Sequence, residues 1–353
     1  MSKRVEDDVV AFVRWFHDAG GYLHPNVQVD MDWRGDVAMV ATGPIAAGDV
    51  VVSTPQSLFL CTTHTETGTL ADAYDSVPPA TSTPEQRLVG RLLEEVAVGE
   101  ASTHYPYIRA LPSKVAVPAY YGPSALQVLN GSRVARELHS LESRTITSLY
   151  ALRGEWTALH KWGSRSNLWA YTNVISRAFR VANSSSVVAT KPHLAGHVCL
   201  VPGVDAINHD PSPAGGSIQW TQLPPTVRSD APKPAGLPSD LYLRVEAPPM
   251  GYAAGDAVAA SYGPLPNTNL LNRYGFALPD NPHDELSIGG LSVKYFAPGD
   301  DPEVVASKVA LLEELGADAR AYMLSRKGLP AQLCTLVRVA ALDAEEVESM
   351  LAD

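Results

Sequence analysis

Cysteine is scarce in this chain: Cys61, Cys199 and Cys334 are the three in 353 residues, far apart and without pairing spacing. That argues against a disulfide framework and against a cysteine zinc site, and it fits a reducing compartment. A cytoplasmic location is expected, with the nucleus also open. Long apolar runs are missing too. No stretch is long enough to cross a membrane and no basic-then-apolar segment begins the sequence, so neither membrane contact nor secretion is expected. Positive charge is in short supply, with 27 Lys and Arg against 38 Asp and Glu, a net charge of −11. Nucleic-acid binding needs clustered Lys and Arg, so nucleic acid is not an expected partner. An acidic surface suits a basic protein partner, although solubility is the commoner reason for it. Internal repeats are absent.

What is there is a chain that can bury a sizeable core, with 45% hydrophobic residues over a length that suits two domains. Val5, Val9, Phe12, Val13 and Phe16 recur at helical spacing, and Gly20-Gly21 ends that helix. From Asp36 the pattern turns to β-branched runs, at 36–42 and 49–53, punctuated by Gly43-Pro44 and Gly48-Asp49. Thr83, Pro84 and Gln86 write a capping box for a helix buried through Leu88, Leu92, Leu93 and Val96. Residues 133 to about 182 read as mostly helical, and the proline-rich 222–238 as an insertion between strands. From Asp301 a capped helix begins what reads as an all-helical tail. His193 and His197 have metal-ligand spacing, but Pro192 and Gly196 argue against a helix there, so no metal site is expected.

The richest stretch runs from Val201 to Phe276. It opens with Asp205, Asn208 and His209, polar groups in an apolar run that need partners or a ligand once buried. It closes with Tyr262-Gly263-Pro264 and Tyr274-Gly275-Phe276, where a short apolar strand at 257–261 delivers Tyr262 into a turn. Taken on their own, these residues read as a buried polar cluster bracing a β-fold.

Taken together and in this order, the two segments resemble the SET-domain methyltransferases, in particular the Rubisco large-subunit lysine methyltransferase-like group. Three further segments are similar to that group. They are Pro106-Tyr107 through Leu111-Pro112, Trp169-Ala170 through Ser176-Arg177-Ala178-Phe179, and the strands at 36–60, where Asp36 and Ala38 stand in place of a glycine pair. The cysteine zinc cluster that follows the catalytic region in histone-type relatives is missing.

The resemblance implies an α+β fold with a β-rich SET core of short strands. A helical insert at about 84–182 would sit within a catalytic domain spanning 1–283. A short helical C-terminal lobe at 284–353 would resemble a truncated substrate-binding domain. It also implies S-adenosylmethionine (SAM) as cofactor, held by Ala38, Met39, Asp49, Val51, Arg177, Asn208, His209, Tyr262, Tyr274 and Phe276. Asp205, Phe179 and Trp220 would face the substrate, and Tyr262 would be the catalytic residue. The expected activity is SAM-dependent N-methylation of a protein by a monomeric enzyme, with lysine as acceptor. A histidine acceptor and a catalytically silent SET fold acting as a binding module are the alternatives.

Overall fold

The computed structural model describes residues 3–31, 37–61, 83–138, 163–180, 198–210, 216–221, 242–289, 291–317 and 321–352. The chain divides into two compact units, one of 1–263 with 271–276 and one of 264–270 with 277–353.

The first unit begins with helix α1 (Lys3–Asp18). Its apolar stripe buries Val9, Phe12 and Phe16, as the spacing predicts, and Gly20 stops it at φ 90°. Five short strands follow: β1 (Tyr22–Leu23), β2 (Val27–Met31), β3 (Val37–Ala41), β4 (Val50–Pro55) and β5 (Leu60–Cys61). Helix α2 (Pro84–Val98) carries the capping box that its sequence writes. The Thr83 hydroxyl accepts from the Gln86 N–H at 3.2 Å, and the Gln86 amide oxygen accepts from the Thr83 N–H at 2.7 Å. Then come α3 (Tyr105–Ala110), α4 (Pro123–Val128) and α5 (Ser164–Arg177). After them run the strands β6 (Ala178–Arg180), β7 (Val198–Leu200), β8 (Asn208–His209), β9 (Ser217–Thr221), β10 (Tyr242–Glu246) and β11 (Ala259–Ala260).

These strands make several small sheets instead of one large one. The largest has the order β1-β4-β10-β9, and β5-β7-β6 and β2-β3 form two more. Strand β4 is buried at every position, with Val50, Val51 and Val52 apolar and Ser53 and Thr54 as buried polar residues that need partners. The Thr54 hydroxyl finds its partner in the Pro202 carbonyl at 2.7 Å. That bond ties β4 to the stretch that later forms the candidate site.

Two expectations are corrected here. Cys61 and Cys199 are register partners across β5 and β7, with Cα atoms 4.2 Å apart, and they form a disulfide. Their separation of 138 residues in sequence hides a contact that strand register makes direct. Cys334 is free.

The second unit is not all-helical after 301. Strand β12 (Glu285–Gly289) pairs antiparallel with β13 (Ala321–Ser325). Around them lie α7 (Val293–Phe296), α8 (Pro302–Glu314), α9 (Ala331–Ala341) and α10 (Ala344–Ala352). Gly316 and Gly328, both at positive φ, lie on either side of β13. Tyr322 then buries its ring as a strand residue. Helix α8 starts on Asp301 with Pro302 at its first position, but the Asp301 side chain makes no capping bond. The unit has its own core, including Val305, Leu311, Leu312, Leu336 and Val339. Lys308 is buried there, donating to Asp300 Oδ2 at 2.6 Å and to the Ala340 carbonyl at 2.9 Å.

Candidate functional site

The site grows out of a turn that only glycine fits. Gly203 sits at φ 85°, and a Cβ there would lie 2.9 Å from the Phe16 ring and 3.3 Å from Val52. The turn leads into a single 3-10 turn, Val204–Ala206, which places Asp205 inward at 9% exposure. The chain then straightens into β8. Strand β11 arrives from 50 residues further on and pairs with it in parallel, Ala259 opposite Asn208 and Ala260 opposite His209. The Asp210 N–H donates to the Ala260 carbonyl at 3.1 Å, and the Gly216 N–H to the Ala259 carbonyl at 3.0 Å. Two distant polar segments are thereby held side by side.

Leaving β11, the chain places Tyr262 beside His209. The Tyr262 N–H donates to His209 Nδ1 at 3.1 Å, which leaves the imidazole proton on Nε2. Burial lowers the His209 pKa, against smaller upward pulls from the Ala260 carbonyl and Asp210. The ring is therefore neutral at pH 7. The Tyr262 hydroxyl donates to the Ile207 carbonyl at 2.6 Å. Helix α6 (Asn267–Tyr274) returns two more rings through Tyr274-Gly275-Phe276. Tyr262 and Tyr274 have ring centroids 4.8 Å apart, His209 and Tyr262 4.9 Å, and His209 and Phe276 5.8 Å. These are the spacings of packed aromatic pairs.

Helix α5 supplies the opposite wall. Its Trp169 indole and Asn173 amide both donate to the Pro112 carbonyl, at 2.9 Å and 3.2 Å. Its end passes directly into β6, so Ser176, Arg177 and Phe179 all face a cleft of about 400 Å³. Asp205, Ile207, Ile218, Tyr262 and Tyr274 complete that cleft. Arg177 Nη1 donates to the Asp205 backbone carbonyl at 2.7 Å. The Asp205 carboxyl accepts from the Tyr107 hydroxyl at 2.6 Å. Burial raises the Asp205 pKa to about 6, although Arg177, Tyr107 and the backbone N–H groups of Gly203 and Asp205 all pull it down. Burial likewise raises the Tyr107 pKa well above 10, reinforced by Asp205, so the phenol keeps its proton.

This shift has a stability consequence with a definite sign. A carboxyl whose folded pKa is raised from 3.8 to about 6 favours the fold below pH 4 and loses that advantage as pH rises through 6. Asp205→Asn keeps the shape and removes the charge. It is expected to stabilise the protein by about 1 to 3 kcal/mol at pH 8, at about 1.4 kcal/mol per unit. The gain should fade as pH falls from 6 to 4, which melting curves across that range would show.

The residues named from the sequence divide into two groups. Arg177, Phe179, Asp205 and Tyr262 line one cleft with Tyr274, and His209 and Phe276 stack beside them. Asn208 is exposed at the β8–β11 pairing, not buried as its apolar setting suggests. Trp220 lies opposite Leu243 in the register of β9 and β10. The second group lies outside the lining of that cleft. Met39 and Val51 are buried in the core and Ala38 sits half-buried on β3. Asp49 closes its own turn, its carboxylate accepting from the Ala46 N–H at 3.2 Å. The loop ending at Asp36 lies outside the described residues, as do His193 and His197. Among the described residues no cluster of His, Cys, Asp and Glu could hold a metal. Sequence reasoning missed Tyr107 as a site residue. It lies within the 106–112 motif segment, but its partner is 98 residues away.

The chemistry of the donor set fits an amino-acid-bearing nucleoside. Arg177 offers a planar fork for a carboxylate, the exposed Asn208 amide offers both donors and an acceptor, and the rings of Phe276 and Tyr274 offer flat apolar faces.

No family model matches the chain. It is 25% identical to the actin-histidine N-methyltransferase of Drosophila melanogaster over 98% of its own length and 62% of that protein's. It is 24% identical to the protein SET DOMAIN GROUP 40 of Arabidopsis thaliana, over 73% of its length and 53% of that protein's. The chain thus spans less than two thirds of either curated relative. Among solved structures it superposes on the SET domain of LSMT bound to lysine and AdoHcy with a TM-score of 0.74. That match has 21% identity and covers 100% of this chain and 75% of the other. Rubisco LSMT bound to AdoMet gives a TM-score of 0.71 at 18% identity, over 97% of this chain and 72% of the other. The chain thus has the fold of the SET domains of LSMT and Rubisco LSMT.

Proposed function

We propose that this protein is a SAM-dependent protein N-methyltransferase with lysine as its acceptor. The observation that carries the reading is a single cleft lined by Tyr262, Asp205 and Arg177. When bound, SAM supplies a methyl group on positively charged sulfur. Arg177, Asn208, His209, Tyr274 and Phe276 are the residues that would hold it. The Tyr262 hydroxyl has committed its proton to the Ile207 carbonyl, so toward the cleft its oxygen acts as an acceptor. An amine N–H donated to that oxygen turns the nitrogen lone pair away from it, which orients the nucleophile. Orientation in a narrow, water-poor channel can carry most of the rate of such a transfer. The Asp205 carboxyl, ionised above about pH 6, favours a side chain that arrives as a cation.

Two expected results test this. SAM and S-adenosylhomocysteine should each raise the melting temperature, by about 1.4 kcal/mol of apparent stability per tenfold excess over Kd. No shift at millimolar cofactor would sink the reading. A shift with no methyl incorporation from radiolabelled SAM into any lysate fraction would leave a binding module.

The relative named as an actin-histidine methyltransferase motivates histidine as the second reading. Lysine has a reference pKa of about 10.4 and must lose its proton, so its methylation should climb from pH 7 to about 9.5. Histidine, at about 6.5, is already mostly neutral and gives a flatter profile. A flat profile with chemistry limiting would favour histidine.

A further inference from the structure

Asp205 is held from two directions. Its backbone carbonyl is bound by Arg177 from α5. Its carboxyl is bound by the Tyr107 hydroxyl, which comes from α3. Tyr107 is 3% exposed, and burial keeps its proton in place, so that proton has one role, donation to Asp205 Oδ2. The helix behind it is braced. The Tyr107 ring packs on Phe12 of α1 with centroids 6.2 Å apart. Two residues on, Arg109 clamps the Asp8 carboxylate with bonds of 2.8, 3.0 and 3.1 Å. Helix α1 thus fixes α3, and α3 aims one phenol at one carboxyl. Neither brace touches the cleft.

Hydrogen bonding to a buried carboxylate favours its charged form and restricts its rotation. The titratable groups that face Asp205 are Tyr107 from α3 and Arg177 from α5. Arg180, Tyr262 and Tyr274 share the cleft with it. Among the described residues, Tyr107 supplies the side-chain hydrogen bond to that carboxyl from outside the lining of the cleft. We propose that Tyr107 is a positioning residue that orients the Asp205 carboxyl and keeps it anionic for a cationic acceptor side chain. This rests on reading the cleft as the acceptor site of a methyltransferase.

The test uses the full-length protein with carbon-13 in the aspartate carboxyls, free L-lysine as the acceptor probe, and the variants Tyr107→Phe and Asp205→Asn. The Asn variant identifies the Asp205 signal. In Tyr107→Phe that carboxyl should titrate about one pH unit higher, because the bond favouring its charged form is gone. Lysine methylation at pH 7 should fall about tenfold, mainly through a higher KM, while the SAM-induced rise in melting temperature persists. A shape-only role for Tyr107 predicts an unmoved midpoint, because phenylalanine fills the same space. An Asp205 midpoint equal in wild type and Tyr107→Phe overturns the proposal. A raised midpoint without any SAM-induced stabilisation in the wild type supports the coupling of Tyr107 to Asp205 and overturns the methyltransferase reading instead.

Discussion

Tyr262→Phe is expected to slow methyl transfer by about a hundredfold or more while SAM affinity changes by less than about tenfold. The ring remains, so its contacts with His209 at 4.9 Å and Tyr274 at 4.8 Å survive and the wall keeps its shape. What disappears is an oxygen anchored through its proton to the Ile207 carbonyl at 2.6 Å. An anchored oxygen acts at full strength when amine and methyl group are aligned, and hardly at all before that. Its loss therefore falls on the transition state and not on cofactor binding. The bracing role makes a different prediction. The Ile207 carbonyl would lose its partner, the fold would lose about 1 kcal/mol, and the rate would stand. Melting temperature and methyl incorporation measured on one preparation separate the two. Full activity in a folded Phe variant would remove Tyr262 from the chemistry.

What could be read in advance follows the range of the interactions involved. The capping box of Thr83 and Gln86 spans three residues, so it is written locally and appears as written. The stripe of α1 and the buried β4 follow from periodicity for the same reason. The Asp205 and Tyr262 placements came from a motif resemblance, and no property of either segment alone dictates the parallel pairing of β8 with β11. Contacts set by register across long separations were hidden. The Cys61–Cys199 bond joins residues that look unrelated until β5 and β7 lie side by side. Tyr107 looked like part of a helix entry because its partner arrives with a 3-10 turn 98 residues further on. Asp49 sits beside the tight turn that Gly48-Asp49 announces, and its carboxylate accepts from the Ala46 N–H, a local bond of the kind that sequence shows. The tail misled because a short apolar run such as Ala321–Ser325 suits either period, and its pairing with β12 is set by a segment more than 30 residues earlier.

The site's two tyrosine-glycine pairs look alike in sequence but should respond very differently to a methyl group. Gly275→Ala is expected to destabilise the protein by about 3 kcal/mol or more and Gly263→Ala by only about 1 to 2. Both glycines have positive φ, 80° at Gly275 and 101° at Gly263, so both variants carry the conformational cost of an L side chain there. The surroundings differ. A Cβ on Gly263 meets nothing within 4 Å, whereas one on Gly275 falls 2.2 Å from the Ala116 carbonyl oxygen and 2.6 Å from its carbon. Those are backbone atoms, and they cannot rotate aside. Their segment is pinned by Val115 at 3% exposure and Val117 at 0%, so the strain must move the glycine instead. Tyr274 and Phe276 flank it and carry rings of the candidate cofactor wall, so the displacement reaches the site. Gly275→Ala should therefore weaken SAM binding by about tenfold or more even where it remains folded, and Gly263→Ala should weaken it less. Denaturant titrations and SAM thermal shifts on the two variants decide the matter. Equal losses of stability would mean that backbone conformation alone, not the contact with Ala116, is what requires glycine at position 275.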